Sequence, residues 1–307
     1  MTESVAASGL AEVGGAPGGE SRGLFGDAWR ELRSRPLFWV STALIAVVVV
    51  MALFPGLFTS ADPNLAVLSR SRGAPSAEAW FGYDNQGYDI YARAVHGARA
   101  SIVVGLLATL GVLLVGAVLG LLAGFYGGWL DAIVSRIADV FVGVPFVLGA
   151  IVILTTLNAG GDAGATRIVA QVVLSISVLS WPVAMRITRS TAVAAKQQDY
   201  VKAARALGAG SRRLMVKHLL PNCVAPVLVY ATIALGAFIG VEATLSYLGI
   251  GLRPPVVSWG VMINGAKDYI RVAPHALLFP AGFLTATVLA FVMLGDAVRE
   301  ALDPKLR

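Results

Sequence analysis

The sequence predicts an all-α, polytopic membrane protein with six transmembrane helices and both termini in the cytoplasm. Three observations predict it. Of 307 residues, 57% are hydrophobic and 14% charged, with a mean hydropathy of +0.75, whereas an ordinary soluble domain carries about 25% charged residues. The charges are also segregated. Six stretches (37–61, 100–130, 140–161, 168–185, 218–241 and 272–295) hold none of the 24 basic and 18 acidic residues. Each is long enough to cross the hydrocarbon core, which takes roughly 20 apolar residues. Finally, Lys and Arg are unevenly divided between the loops. With the N-terminus inside, the cytoplasmic segments carry 16 of them and the outer segments 8, the bias that sets orientation in the membrane.

The same observations exclude other classes. Too little charge and too much apolar residue rule out a disordered chain. Runs such as Ala46–Val50 do not alternate, so a transmembrane β-barrel is excluded. The net charge of +6 lies beside the spans, where anionic headgroups attract it, and does not point to nucleic acid. A single cysteine, Cys223, permits neither an intramolecular disulfide nor a cysteine metal site. His96, His218 and His275 share no ligand spacing, so no metal site is expected.

Taken in order, residues 1–28 are rich in Gly, Ala, Ser and Glu without apolar periodicity and read as a disordered cytoplasmic tail rather than a signal peptide. Residues 29–61 give a short amphipathic lead-in, with Arg30, Arg33 and Arg35 at headgroup level, and the first span. Residues 62–99 form an extracytoplasmic loop. In the second span Gly116, Gly120, Gly124 and Gly128 recur every fourth residue, and Gly236 and Gly240 repeat the spacing in the fifth. Such a stripe lets another helix backbone approach closely. Pro145, Pro182, Pro226 and Pro280 fall in four spans, where each marks a kink or an end. Asp131, Arg136 and Asp139 lie near the cytoplasmic end of the third span, close enough to pair among themselves.

Two features carry functional signal. Glu242 follows 24 uncharged residues and precedes another uncharged stretch; a carboxylate at such depth faces a cavity or a partner, or else sits at the outer interface. The loop between the fourth and fifth spans holds 8 of the 16 inner Lys and Arg. Its residues 199–222 read as a helix, a turn at Gly208–Gly210 and a second helix capped by Ser211, with Pro221 marking re-entry to the membrane. Leu207, Leu214 and Leu219 stand as apolar teeth among the basic residues. By residue chemistry alone the loop suits either the membrane surface or a cytosolic partner's groove.

Ala203-Ala204, Gly208 and His218-Leu219-Leu220-Pro221 resemble, at matching spacing, the EAA loop of ABC importer permeases. Lys202 stands where that motif has Glu, and His218 where it often has Ile. The resemblance extends along residues 25–307. Gly82-Tyr83-Asp84, Gly87-Tyr88-Asp89 and Gly97-Ala98-Arg99-Ala100-Ser101 are similar to the Gly-Thr-Asp, Gly-Arg-Asp and Gly-x-Arg-x-Ser segments of C-type dipeptide and oligopeptide importer permeases. Tyr126-Gly127-Gly128, Ser180-Trp181-Pro182, Glu242-Ala243 with Leu245–Gly251, Ser258-Trp259-Gly260 and Leu302-Asp303-Pro304 follow in family order.

The resemblance implies a type I ABC importer permease, with residues 97–298 as its transmembrane domain and 299–307 as a cytoplasmic tail. Its partners would be a homologous second permease, two cytosolic ATPase subunits, an extracytoplasmic substrate-binding protein and membrane lipid. It would import dipeptides or oligopeptides across the cytoplasmic membrane, or alternatively nickel or another small cargo. It implies an ATPase-coupling loop of Lys202, Ala203, Ala204, Leu207, Gly208, Arg212, His218, Leu220 and Pro221. Gly82, Asp84, Gly87, Asp89 and Arg99 would be a family extracytoplasmic motif, and Glu242 and Tyr247 would belong to the substrate path. The chain has no Gly-x4-Gly-Lys-Ser/Thr loop. It is therefore not expected to be an enzyme or to bind a cofactor directly; ATP and Mg would be used by the partner subunits. A secondary transporter using Glu242 is the other class considered.

Overall fold

Helices account for every long apolar run, but their ends differ from the charge-free boundaries. The computed structural model describes residues 24–158 and 164–302. Helix α1 (Leu24–Ser34) is followed by α2 (Pro36–Leu53), which Pro36 starts and the Phe54-Pro55 pair ends. Most of the tail expected to be disordered lies outside the described residues. Its last five residues are helical, because Phe25, Ala28, Trp29 and Leu32 continue the three- and four-residue apolar spacing of the lead-in. Arg35 pairs with Glu31 and with Glu300, joining the α1–α2 corner to the end of α11 (Pro274–Leu302). Helix α11 therefore includes the first residues of the expected 299–307 tail.

Helix α3 (Ile90–Tyr126) begins ten residues before its charge-free run. Asp89 caps it by accepting from Ala92 N at 2.9 Å, which replaces a lost intrahelical partner. At 1.5 Å per residue, this 37-residue helix exceeds what the hydrocarbon requires, so its charged first turns stand outside it. The expected third span is two helices, α4 (Gly128–Gly143) and α5 (Phe146–Asn158), bent 92° at Val144-Pro145. Proline has no N–H to continue the ladder of α4. Pro182, Pro226 and Pro280, by contrast, lie inside continuous helices. Among the described residues, five helices are long and apolar enough to span a membrane, or six when the bent pair counts as one.

Helix α6 (Ala165–Lys196) packs along α3. A Cβ on Gly116 would lie 2.5 Å from that of Ala184, one on Gly120 2.8 Å from that of Thr188, and one on Gly124 2.8 Å from that of Ala192. The constant offset of 68 positions makes α3 and α6 parallel. The stripe ends there: Gly128 meets nothing and adopts φ +57 in the α3–α4 turn. After α7 (Asp199–Ala206), α8 (Ser211–Arg213) runs through a π-helical stretch, Leu214–Leu219, into α9 (Leu220–Tyr247). Gly236 meets Phe291 and Val288 of α11, whereas Gly240 has ordinary clearance. The short helix α10 (Trp259–Ala266) folds back onto α9, because Gly260 allows a close approach to Ala243 and Ser246.

Candidate functional site

The helix-turn-helix at 199–222 has two chemically opposite faces. Val201, Leu214, Leu219 and Cys223 are buried and pack with Phe125 of α3 and with Ala192 and Ala195 of α6. Of the three leucines expected as teeth, only Leu207 projects, 88% exposed. Leu214 and Leu219 turn inward, because the second helix presents its apolar side to α3 and α6. Lys202, Ala203, Arg205, Arg212 and Lys217 of the same segment are also exposed, and Lys202 donates to Asp199 at 2.9 Å.

Gly208 shapes the turn. Its N–H donates to Arg205 O and that of Ala209 donates to Ala204 O, both at 3.0 Å. This pairing requires a left-handed residue between them, and Gly208 has φ +85. Its absent Cβ would meet nothing within 4 Å, so glycine serves backbone conformation here rather than internal packing. Gly210, not Ser211, occupies the N-cap of the second helix and makes no side-chain cap. Pro221 lies in the first turn of α9, in line with the π-helical stretch, so the loop enters the span as continuous helix. Asn222 donates to Tyr200 Oη at 2.9 Å and to His218 O at 2.6 Å, closing the two arms. Leu220 is exposed and His218 half-buried.

Glu242 is 0% exposed. Ser246 donates to its Oε1 at 2.7 Å, Ser258 to the same oxygen at 3.0 Å, and Ser101 to Oε2 at 3.1 Å. The three hydroxyls come from α9, from the N-cap of α10 and from α3. A carboxylate removed from water is tolerable only when such donors replace it. Next to this knot, Trp259 Nε1 donates to Ala94 O at 2.9 Å, and Asn264 donates to Tyr247 O at 2.6 Å. Tyr247 itself is 42% exposed, with the Lys267 ammonium over its ring. Glu242 and Tyr247, five residues apart in sequence, do not face one site.

The 82–99 motif builds a cap at the N-terminal end of α3. Gly82 (φ +73) and Gly87 (φ +80) make turns that leave a side chain no room against the 73–75 and Val67 backbones. Asp84 accepts from Gln86 N and Tyr88 N and faces Arg93 at 3.3 Å. Arg99 is exposed on α3. Asp84, Arg93, Arg253, Asn264 and Ser246 border one cavity of about 280 Å³ on this side.

Sequence reasoning missed several partners. Asp131 and Asp139 pair not with Arg136 but with α6: Asp131 with Arg189 through both oxygens, and Asp139 with Arg186 at 2.8 Å. Arg136 lies five residues from Asp131, on another side of the helix; Asp139, three residues from Arg136, pairs with Arg186 of the neighbouring helix instead. The only advance signal for the Glu242 knot was Ser246, one helical turn onward. Among the described residues no group of three or more His, Cys, Asp or Glu could hold a metal ion.

Comparison with known proteins agrees with this architecture. A family described as N-terminal TM domain of oligopeptide transport permease C matches residues 23–77. The dipeptide transport system permease protein DppC of Alkalihalophilus pseudofirmus is 36% identical over 92% of this chain and 90% of that protein. The oligopeptide transport system permease protein OppC of Bacillus subtilis is 37% identical over 94% and 92%. A glutathione transport system permease protein, GsiD of Pectobacterium atrosepticum, is 34% identical over 91% and 90%. The fold is shared with a chain of the inward-facing MetNI methionine ABC transporter, at a TM-score of 0.54 and 19% identity over 69% of this chain and 96% of that one. A chain of an amino acid ABC transporter with histidines gives 0.51 and 16% over 66% and 91%. With a match to the family described as binding-protein-dependent transport system inner membrane component over residues 116–307, the chain belongs to that family and is a multi-pass protein of the cytoplasmic membrane.

Proposed function

We propose that this chain is one permease subunit of an ATP-driven importer of dipeptides or oligopeptides. It forms half of the passage with a homologous second permease and takes cargo from an extracytoplasmic binding protein. Both termini and the 199–222 helix-turn-helix face the cytoplasm, where two ATPase subunits use ATP and Mg. The cargo class rests on relatives named for dipeptides, oligopeptides and glutathione, all of them peptides.

One observation carries the coupling role. A leucine 88% exposed at the tip of a basic turn gains little from burial within this chain, and burial is what makes an apolar side chain stabilising. The turn that presents it is fixed from behind by the buried face packed on α3 and α6. A rigid, protruding apolar residue suits insertion into a partner's groove. Replacing Leu207 with Asp should leave insertion and membrane level unchanged. It should lower ATP-dependent peptide uptake at least about tenfold, the effect of losing a buried anchor of 1.4 kcal/mol or more. The ATPase subunits should no longer co-purify with the variant. Native uptake by Leu207→Asp would remove the loop from the coupling interface.

A further inference from the structure

The break between α4 and α5 opens a cavity of about 400 Å³ that the family match does not explain. Its walls are Phe141 and Phe146 on either side of the break, Ser180 and Val183 of α6, and Tyr230 and Phe238 of α9. Every one of these positions lies near the middle of its segment. The break bisects Gly128–Asn158, Ser180 is midway along Ala165–Lys196, and Tyr230 and Phe238 bracket the centre of Leu220–Tyr247. All of them fall inside the charge-free runs 140–161, 168–185 and 218–241, so the cavity lies within the membrane. Interrupted helix there is tolerated where it is enclosed by protein or borders water, and in transporters such interruptions adjoin the cargo.

The lining has the composition of a contact site rather than of lipid-facing surface. Two threonines further along α6 use their hydroxyls within the helix: Thr188 donates to Ala184 O and Thr191 to Ile187 O. The side chains of Ser180 and Tyr230 make no hydrogen bond among the described residues, and both residues line the cavity. A few polar groups set in aromatic walls are what orients an organic ligand. None of the lining residues is charged. A passage must bind weakly enough to release, and an uncharged wall does not trap a cargo that carries charged termini.

Resting on the importer reading above, we propose that this slot is the transmembrane contact point for the peptide cargo. Its aromatic walls accept apolar side chains, and Ser180 and Tyr230 donate to backbone carbonyls of the passing peptide.

The test uses the full chain assembled with its partner subunits in proteoliposomes. Cys223, the only native cysteine, is 1% exposed, so background labelling is read on the native chain. A water-soluble thiosulfonate reagent should modify Ser180→Cys at least about tenfold faster than Leu289→Cys, because within the membrane only a water-lined position is reachable. Leu289 is exposed near the centre of α11, inside the charge-free run 272–295 but away from the slot. Val183, 46% exposed, can accept a larger side chain without displacing a core. Val183→Trp should reduce ATP-dependent uptake of radiolabelled dialanine and glutathione about tenfold or more by filling the slot, and Leu289→Trp should transport as the native chain does. Equal labelling at positions 180 and 289, or native uptake by Val183→Trp, would overturn the site alone. If the native chain with its ATPases takes up neither peptide, the importer reading falls and the site falls with it.

Discussion

Glu242 illustrates how one residue can be conspicuous in a sequence while its role is fixed elsewhere. Its isolation among uncharged residues was legible; whether it lay inside the bundle or at an interface was not, and the structure buries it completely. Its partners were not legible either, because Ser101 is 141 positions away and no sequence spacing connects them. The carboxylate joins α3, α9 and the start of α10, and all three serine donors are themselves buried. Glu242→Ala removes the acceptor for three buried hydroxyls and opens a cavity, at a cost of about 2–4 kcal/mol. Glu242→Gln keeps the volume. Its carbonyl oxygen can accept from Ser246 and Ser258 while its amide donates to Ser101, so the loss should be about 1 kcal/mol. Thermal unfolding midpoints of the detergent-solubilised protein should rank native, Gln, then Ala. A Gln variant as unstable as the Ala variant would mean that the negative charge itself, rather than the acceptor geometry, holds the knot.

At the scale of elements, the glycine stripe of α3 was legible as a stripe but not as a contact. The four-residue spacing shows that a neighbour approaches; only the structure identifies it as α6, in parallel, with small residues opposite each glycine. Its limits were also hidden. Gly128 belongs to the turn, and Gly240 has room where Gly236 does not, since spacing alone does not report where two axes diverge. The extension of α3 back to Ile90 escaped notice for a related reason: Arg93 and Arg99 interrupt the apolar run while leaving the helix intact, because a helix outside hydrocarbon has no need to be uncharged. The break in the third span was visible only as Pro145. The stripe makes a graded prediction. Gly120→Val would press a branched side chain onto the Met185–Arg189 backbone and Thr188, an overpacking that costs about 1–3 kcal/mol or more. It should sharply lower the yield of folded protein extracted from membranes. Gly240→Ala, with 3.9 Å to Val288 Cγ2, should give native yield. Equal yields would mean that α3 and α6 do not remain in contact in the membrane.

For the molecule as a whole, the coupling role proposed for the helix-turn-helix divides between its two faces. On that proposal the exposed face meets the partner and force reaches the spans through the buried one, where Leu214 (1% exposed) and Leu219 (0%) pack with Phe125 and Ala192. The π-helical stretch Leu214–Leu219 then continues without interruption into α9, which carries Glu242 and one wall of the slot at the α4–α5 break. Close-packed interiors transmit displacement because they have little free volume to absorb it. Truncating Leu214 and Leu219 to Ala creates such volume, at about 2–5 kcal/mol per site locally, while leaving Leu207 and the basic face intact. The double variant should therefore still co-purify with its ATPases and still permit ATP hydrolysis, yet show peptide uptake reduced several-fold per ATP consumed. Leu207→Asp should show the opposite pattern, with loss of the partners themselves. Measuring co-purification, ATP hydrolysis and uptake on the same reconstituted samples distinguishes the two. If the Leu214→Ala, Leu219→Ala protein keeps a native ratio of uptake to hydrolysis, motion must reach α9 by a route other than the buried face of the loop.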